Sequence, residues 1–318
     1  MQVLSKIHSN TTRKPSLVSV LLITYNHVSY IRQAIDGILM QEGPFEIELI
    51  VGDDCSTDGT SAIVDEYIAS YPNIIRLLSR DKNLGASHNL DRCLSAGHGQ
   101  YLATIEGDDY WTDPHKLARQ VEFMDNNPDY SLCFHNALVV YEDGSGKASH
   151  PMTADLKREY TLDDITRDWN IASASLLYRN GLLPKLPEWA FEGTATDLPV
   201  ISILANQGRV ACLPEIMSVY RINNSGVTRT GKGDAFMLGI VRMHKNVDKY
   251  LGLRYHYNFT LKLMEDYNIL TGIMANEKHY SKAIKYFLKY MFINLYVKKI
   301  VKIKDVKTLI SLLIPVLR

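Results

Sequence analysis

LVSVLLITYNHVSYIRQAIDGIL, residues Leu17 to Leu39, carries the pattern that decides the fold. Leu17 to Ile23 is a short apolar run rich in β-formers, read as a strand. From Tyr30 to Leu39 the residues Ile31, Ala34, Ile35 and Ile38 recur at helical spacing, so a strand feeds a helix. The alternation continues. Glu46 to Val51 is a second strand, the acidic turn GDDCSTDG follows, and Thr60 to Ile68 places Ile63, Val64, Tyr67 and Ile68 on one helical stripe. Asn73 to Leu78 and Tyr101 to Ile105 supply two more strands, with a helix from Gly85 to Ala96 between them. Asp113 as N-cap and Pro114 in the first turn then open a helix running to about Met124. Such alternation predicts an α/β fold, a mostly parallel sheet flanked by helices.

Sheets of this kind bind ligands in the loops beyond the carboxyl ends of their strands. Three polar clusters occupy those places: Thr24-Tyr25-Asn26 after the first strand, Asp53-Asp54 after the second, and Glu106-Gly107-Asp108-Asp109 after the fourth. Carboxylates crowded at a strand end repel one another, and a divalent cation relieves that repulsion. Hard oxygen ligands suit Mg²⁺ or Mn²⁺, which keep coordination positions open for phosphate oxygens. Gly107 allows a tight turn beneath them. The alternative is a polar loop that only ends a strand. Asp54 is placed to accept hydrogen bonds from a ribose or base, while Ser56 or Asp58 serves to cap the next helix, Asp58 being preferred. The chain has neither GxGxxG nor GxxxxGK[ST], which argues against dinucleotide and P-loop sites.

Downstream the pattern loosens. Ser131 to Tyr141 is a strand, Glu142 to Ala154 a loop or hairpin excursion, Ala174 to Tyr178 a strand, Asp197 to Ala205 a helix and Arg209 to Leu213 a strand. A loop is expected from Arg221 to Gly233, then helices over Ala235 to Tyr250, Tyr255 to Tyr267 and Glu277 to about Val301. The 35 Lys and Arg balance 35 Asp and Glu, so no general attraction to nucleic acid is expected. The balance is uneven, because the 41 residues from Lys278 onward hold ten basic residues against Asp305 alone, a net of +9. Cys55, Cys93, Cys133 and Cys212 form no metal-ligand spacing and read as thiols in a reducing compartment. The N-terminus does not read as a signal peptide and no stretch reaches roughly 18 to 20 apolar residues, so the catalytic body is expected in the cytoplasm.

Four segments together resemble glycosyltransferase family two, whose catalytic domain is the GT-A nucleotide-diphospho-sugar fold. VSVLLITYNHVSYIRQAIDGIL resembles the family's first strand, nucleotide loop and helix, and IELIVGDDCSTDGT its Asp-Asp-x-Ser-x-Asp motif. RDKNLGASHNLDRCL resembles its Asn-x-Gly helix start, and YLATIEGDDYWTDPHKLARQVEF its metal motif with the following helix. Looser similarity runs through SASLLYR, TDLPVISILANQGRVACLPEIMSVYR and NNSGVT, ending near residue 230. Two departures stand out: Glu106 where Asp is common, and Thr196 where Gly or Glu usually precedes the base. The resemblance implies a catalytic domain over residues 1–230, with a nucleotide half at about 15–125 and an acceptor half at about 126–230. A helical region with a basic amphipathic tail would fill 231–318.

Carried over, Thr24, Tyr25 and Asn26 line the base and ribose, Asp54 binds uracil or ribose, and Arg80 and Asn83 lie near the nucleotide. Glu106 and Gly107 complete the motif in which Asp108 holds the cation and Asp109 touches the donor sugar. Asp197, at a helix start that favours its charged form, resembles the general base. Arg221, His135 and His150 are phosphate candidates, with Arg179 weaker; His135 reads somewhat more readily as a half-buried histidine on its strand, both arginines alternatively as surface residues, and Tyr110 and Trp111 pack against sugar or belong to the core. The reaction implied is an inverting, metal-dependent transfer from a UDP-sugar to an acceptor hydroxyl, in bacterial surface polysaccharide or lipid-linked oligosaccharide synthesis. A sugar-1-phosphate nucleotidyltransferase would need a Gly-rich basic loop in place of TYNHVSY, and a catalytically inactive binding protein would have no need of acids at 54, 108 and 197 together. Tyr286 to Pro315 mixes apolar residues with lysines, as a helix lying on an anionic membrane would, or as a C-terminal cap with a solvated basic face would.

Overall fold

A computed structural model describes residues 16–168, 170–224, 226, 233–298 and 303–317. Strand β1 (Ser16–Thr24) pairs in parallel with β2 (Phe45–Asp53) on one side and β4 (Tyr101–Glu106) on the other, and β3 (Ile75–Leu77) extends the sheet beyond β2. Helices α1 (Ile31–Leu39), α2 (Thr60–Ser70) and α3 (Ala86–Ala96) make the crossovers that parallel pairing requires. The expected strands and helices of this half are all present, with ends shifted by a residue or two; α4 (Lys116–Asn126) begins just past Pro114.

Alternation along β1 sorts the layers. Val18, Val20 and Leu22 pack with Ile31, Ile35 and Ile38 of α1 and Leu117 and Val121 of α4 on one face. Leu21 faces the other way, toward Leu90 and Leu94 of α3 and Leu198 and Ile201 of α6 (Asp197–Ala205). The register sets Thr24 beside Asp53 and Ile23 beside Glu106, so the polar loops after three strands open at one edge.

The second half is a parallel pair, β6 (Tyr130–Glu142) and β10 (Arg209–Asn223), joined to the first half by β9 (Leu177–Arg179), antiparallel to both β4 and β6. β5 (Tyr110–Trp111) pairs with Ser218 and Val219 of β10, while β7 (His150–Pro151) folds back on β6 as a hairpin excursion and β8 (Glu159–Tyr160) pairs with β10. β10 corrects the expectation of a strand ending at Leu213 and a loop from Arg221. It runs to Asn223 because register shifts between Leu213, Ile216 and Ser218 absorb Pro214, which cannot donate to the ladder.

Beyond the sheet, α7 (Asp234–Tyr250) packs Ile240, Met243 and Val247 into the main core and Val241 into a separate one. That second core also holds Leu263, Tyr267 and Leu270 of α8 (His256–Asn276), Ala283 and Phe287 of α9 (Tyr280–Lys298) and Leu312 of α10 (Ile303–Leu317). The expected helix ending at Tyr267 runs on to Asn276 because Leu270 and Met274 continue its buried stripe. Tyr286 to Pro315 is two helices rather than one surface-lying helix, with Tyr286 and Phe287 turned into the core. The boundary expected near residue 230, the Val227–Thr228 end of the NNSGVT motif, and Lys299 and Lys302 lie outside the described residues. Among the described residues no helix is long and apolar enough to cross a membrane.

Candidate functional site

Asn26 sits in the left-handed region at φ 56, a conformation Asn tolerates better than most side chains. Its Oδ1 accepts the Thr57 N–H at 2.8 Å, and its own N–H donates to Ser56 Oγ at 2.9 Å, so it ties the loop after β1 to the loop after β2. The next two N–H groups continue the tie, His27 to Thr60 Oγ1 (2.8 Å) and Val28 to Asp58 Oδ2 (2.9 Å). Asp58 Oδ1 also accepts the N–H of Thr60, the first residue of α2, which is the capping service expected of it, although Gly59 (φ 104) occupies the N-cap position. Thr24 is buried, with Oγ1 3.2 Å from His27 Nδ1, and Tyr25 is 46 % exposed with its ring available to a ligand.

Asp54 is only 2 % exposed, and its carboxylate accepts the backbone N–H groups of Leu84 (2.7 Å) and Gly85 (2.8 Å). Asn83 Nδ2 donates to the Asp54 carbonyl at 2.9 Å. Asp54 and Asn83 thus pin the loop that starts α3, work that their expected nucleotide contacts did not anticipate. Asp53 anchors Ser56 (Oγ at 2.6 Å) and Ser61. Arg80 pairs with Asp65 at 2.7 Å and approaches Asp53 at 3.7 Å.

The acidic loop after β4 is held under tension of like charge. Gly107 donates to the Ile23 carbonyl at 2.9 Å and lies so near the first loop that a Cβ there would meet Thr24 Oγ1 at 2.5 Å. Asp109 is buried; Oδ1 accepts the Arg221 N–H at 2.8 Å and Oδ2 has no hydrogen-bond partner among the described residues. Burial, followed by the charges of Asp108 and Glu106, raises its pKa well above the usual carboxylate range. Glu106 is pushed up to about 8 by burial, then by Asp108 and then by Asp197. Asp197, the first residue of α6, is thus within electrostatic reach of Glu106.

Asp108 faces two residues that the sequence reading passed over. Asn223 Nδ2 donates to Asp108 Oδ2 at 3.0 Å, and His27 Nε2 stands 3.8 Å from the same oxygen. Burial lowers the His27 pKa against the pull of Asp108 and Asp58. A signal was present for His27, which follows TYN in the first ligand loop, whereas Asn223 ends a strand that the sequence reading stopped at Leu213.

Arg221 does not reach outward to phosphates as expected. Its Nε donates to Glu142 (2.9 Å), one terminal nitrogen donates to the Asp108 carbonyl and the other to Gln33 (2.6 Å), with the rings of Tyr30 and Tyr110 at 4.7 and 4.8 Å. It is a strut beneath the acidic loop. Arg179 is also structural, donating to the carbonyls of Met124, Asn127 and Tyr130 at the opposite end of β4. Trp111 is core, its indole N–H on the Ala174 carbonyl at 2.7 Å. His135 is buried and pushed down to about 3 by desolvation and then by Lys116, and exposed His150 is bound to Tyr141 and Pro151 on the β7 hairpin. Burial keeps the thiols of Cys93, Cys133 and Cys212 at about 12.

Among the described residues no group of three His, Cys, Asp or Glu side chains could hold a metal by itself. The donor set nevertheless fits a cation that draws further ligands from a diphosphate and water, as Mg²⁺ and Mn²⁺ do. The orphaned Asp109 oxygen and the raised proton affinities of Glu106 and Asp109 mark a site short of positive charge.

A model of glycosyl transferase family 2 matches residues 19–178. The chain belongs to that family. An uncharacterised protein of Mycobacterium tuberculosis is 38 % identical over 221 residues, 68 % of this chain and 62 % of that one, so the match spans less than two thirds of the relative's length. Among solved structures, residues 1–349 of S. aureus TarS with UDP-GlcNAc superpose at a TM-score of 0.57 with 18 % identity, covering 93 % of this chain and 90 % of that one. Mannosyltransferase PcManGT from Pyrobaculum calidifontis, with GDP-Man and Mn²⁺, gives 0.57 at 15 % identity over 96 % and 81 %. These likenesses establish a GT-A-like fold for this family 2 chain, with β2, β4 and most of β1 inside the matched segment.

Proposed function

We propose that this family 2 chain transfers a sugar from a nucleoside diphosphate sugar to an acceptor hydroxyl with inversion at the anomeric carbon. What supports the reading is the acidic Glu106–Asp109 loop at the carboxyl edge of the parallel strands, close enough to Asp197 for the Asp197 charge to help raise the Glu106 pKa. Asp197 takes the proton of the acceptor hydroxyl as its oxygen attacks the anomeric carbon, and the α6 N-terminus favours the charged carboxylate this needs. Thr24, Tyr25 and Asn26 border the base and ribose, and Asp109 orients the sugar. Asp108, oriented by Asn223, would hold Mg²⁺ or Mn²⁺, which supplies charge stabilisation to the departing diphosphate. One base opposite such a leaving group gives a single displacement and hence inversion.

UDP is the nucleotide favoured here, and the structures compared carry UDP-GlcNAc in one case and GDP-Man in the other. A bacterial surface polysaccharide or lipid-linked oligosaccharide is the product class we favour on family grounds, made by an enzyme body in the cytoplasm. Calorimetric titration of UDP with and without Mn²⁺, followed by turnover of a UDP-sugar panel, tests the reading. Metal-dependent binding abolished by Asp108→Ala, with turnover abolished but binding kept in Asp197→Asn, is the expected result. No binding of UDP, GDP or dTDP under either condition would overturn it.

A further inference from the structure

Helix α9 turns only part of its surface to the protein. Ala283, Tyr286 and Phe287 are buried in the C-terminal core, whereas Leu288 (53 % exposed), Phe292 (73 %), Leu295 (46 %) and Tyr296 (73 %) face solvent. Their spacing of four, three and one places all four on a single face of a 3.6-residue helix. Exposed Lys285 and Lys289 fall on that same face, Lys282 at its border pairs with Asp234 of α7 at 3.7 Å, and the helix itself contains no acidic residue. Lys289 reaches back over the Tyr267 ring at 4.9 Å, beside an open hollow of about 410 Å³ that Lys245, Leu288 and Phe292 also line. On α10, Ile310 (51 %) and Ile314 (47 %) are exposed with Lys307 one turn away.

An aqueous face has no physical use for two large aromatic rings standing three-quarters free. A second protein surface would explain the apolar residues, but α9 presents lysines among them with no acid to pair across a symmetric contact. A lipid surface satisfies both: rings and aliphatic chains enter the headgroup boundary while ammonium groups remain among anionic phosphates. We propose that the exposed face of α9, continued by Ile310 and Ile314 of α10, docks the protein on an anionic lipid bilayer. The contact is peripheral, since neither helix is long and apolar enough to span. It does not depend on the catalytic reading, because none of these residues belongs to the site.

The test is sedimentation of the full chain with vesicles of phosphatidylcholine alone and of phosphatidylcholine with about a third phosphatidylglycerol. Binding should require the anionic lipid and be released near 0.5 M salt, where the Debye length falls to a few ångströms. Lys285→Glu with Lys289→Glu should weaken partitioning by about 25-fold or more, taking roughly fivefold for each lysine at the surface. Phe292→Ser with Tyr296→Ser should weaken it by a comparable factor while leaving UDP binding and the thermal midpoint unchanged, since both side chains lie outside the core. Equal binding of these variants and the parent, or no binding to anionic vesicles, overturns the proposal. A concentration-dependent dimer lost in Phe292→Ser/Tyr296→Ser would also overturn it, assigning the face to a second copy.

Discussion

Replacing Arg221 by Lys keeps a positive charge beneath the acidic loop but removes the planar fork that builds it. Three hydrogen bonds become at most one, and the stacking of a guanidinium between Tyr30 and Tyr110 becomes contact with an alkyl stem. The Glu142 partner is 42 % exposed, so its loss contributes under about 1 kcal/mol. The Asp108 carbonyl loses its donor in a part-buried setting, at about 1 kcal/mol, while Gln33 is exposed and its bond, like that to Glu142, contributes under about 1 kcal/mol. The two ring contacts add roughly 0.5–1 kcal/mol each. With one bond restored by the ammonium, the net expectation is a loss of about 1–3 kcal/mol, a thermal midpoint lower by roughly 3–9 °C. Because the fork holds Asp108 by its backbone, metal-dependent UDP affinity should fall as well, by about tenfold. Differential scanning fluorimetry and calorimetric titration on the same preparation check both. A variant that melts within 1–2 °C of the parent and binds UDP unchanged would refute the assignment of Arg221 as a strut.

Gly107→Ala places a methyl against Thr24 and His27 and should shift the acidic loop, lowering turnover by about tenfold or more with little change in the far-ultraviolet spectrum. Asp54→Asn leaves one of the two N–H groups of Leu84 and Gly85 facing an amide NH₂, a loss of about 1–3 kcal/mol that hydrogen exchange at those two amides would report. His135 is neutral in the fold with a pKa of about 3, below its ordinary value of 6.5, so the unfolded chain binds more protons between those limits and stability falls as the pH drops through that window. His135→Gln should therefore narrow the stability difference between pH 7 and pH 4.5 by roughly 2–3 kcal/mol in urea unfolding; an unchanged acid limb would contradict the buried neutral ring.

The nucleotide half is legible in the sequence because each strand there is a continuous apolar run and each helix a stripe of period 3.6, patterns set by local burial. The same logic placed Thr24, Asp54, Asp108 and Asp197 at element ends. What could not be read were partnerships made across distance. Arg179 and Arg221 look alike as arginines near strand ends, yet one caps the carbonyls after α4 and the other props the acidic loop, and only the tertiary register of β9 and β10 separates them. Asn223 was hidden because β10 continues past Pro214 through a bulge, a place where strand propensity gives no warning. Lys116, buried with its Nζ 3.8 Å from the Trp111 ring centroid, defies the rule that lysine faces water and left no trace in the helical pattern.

The three-residue strand β9 bears on how the molecule comes together. β4 ends at Glu106, but the strand that closes its open edge begins only at Leu177, some 70 residues later in synthesis. The first four strands have their crossover helices and most of their apolar contacts by then, so a nascent chain holds a nearly finished half with one unpaired ladder of N–H and C=O groups. Ribosome-bound chains in which residues up to about 170 have emerged should accordingly recruit chaperones, whereas chains in which β9 and β10 have both emerged should release them. A closing strand so short makes its own timing, more than its strength, the control on whether the two halves join or aggregate.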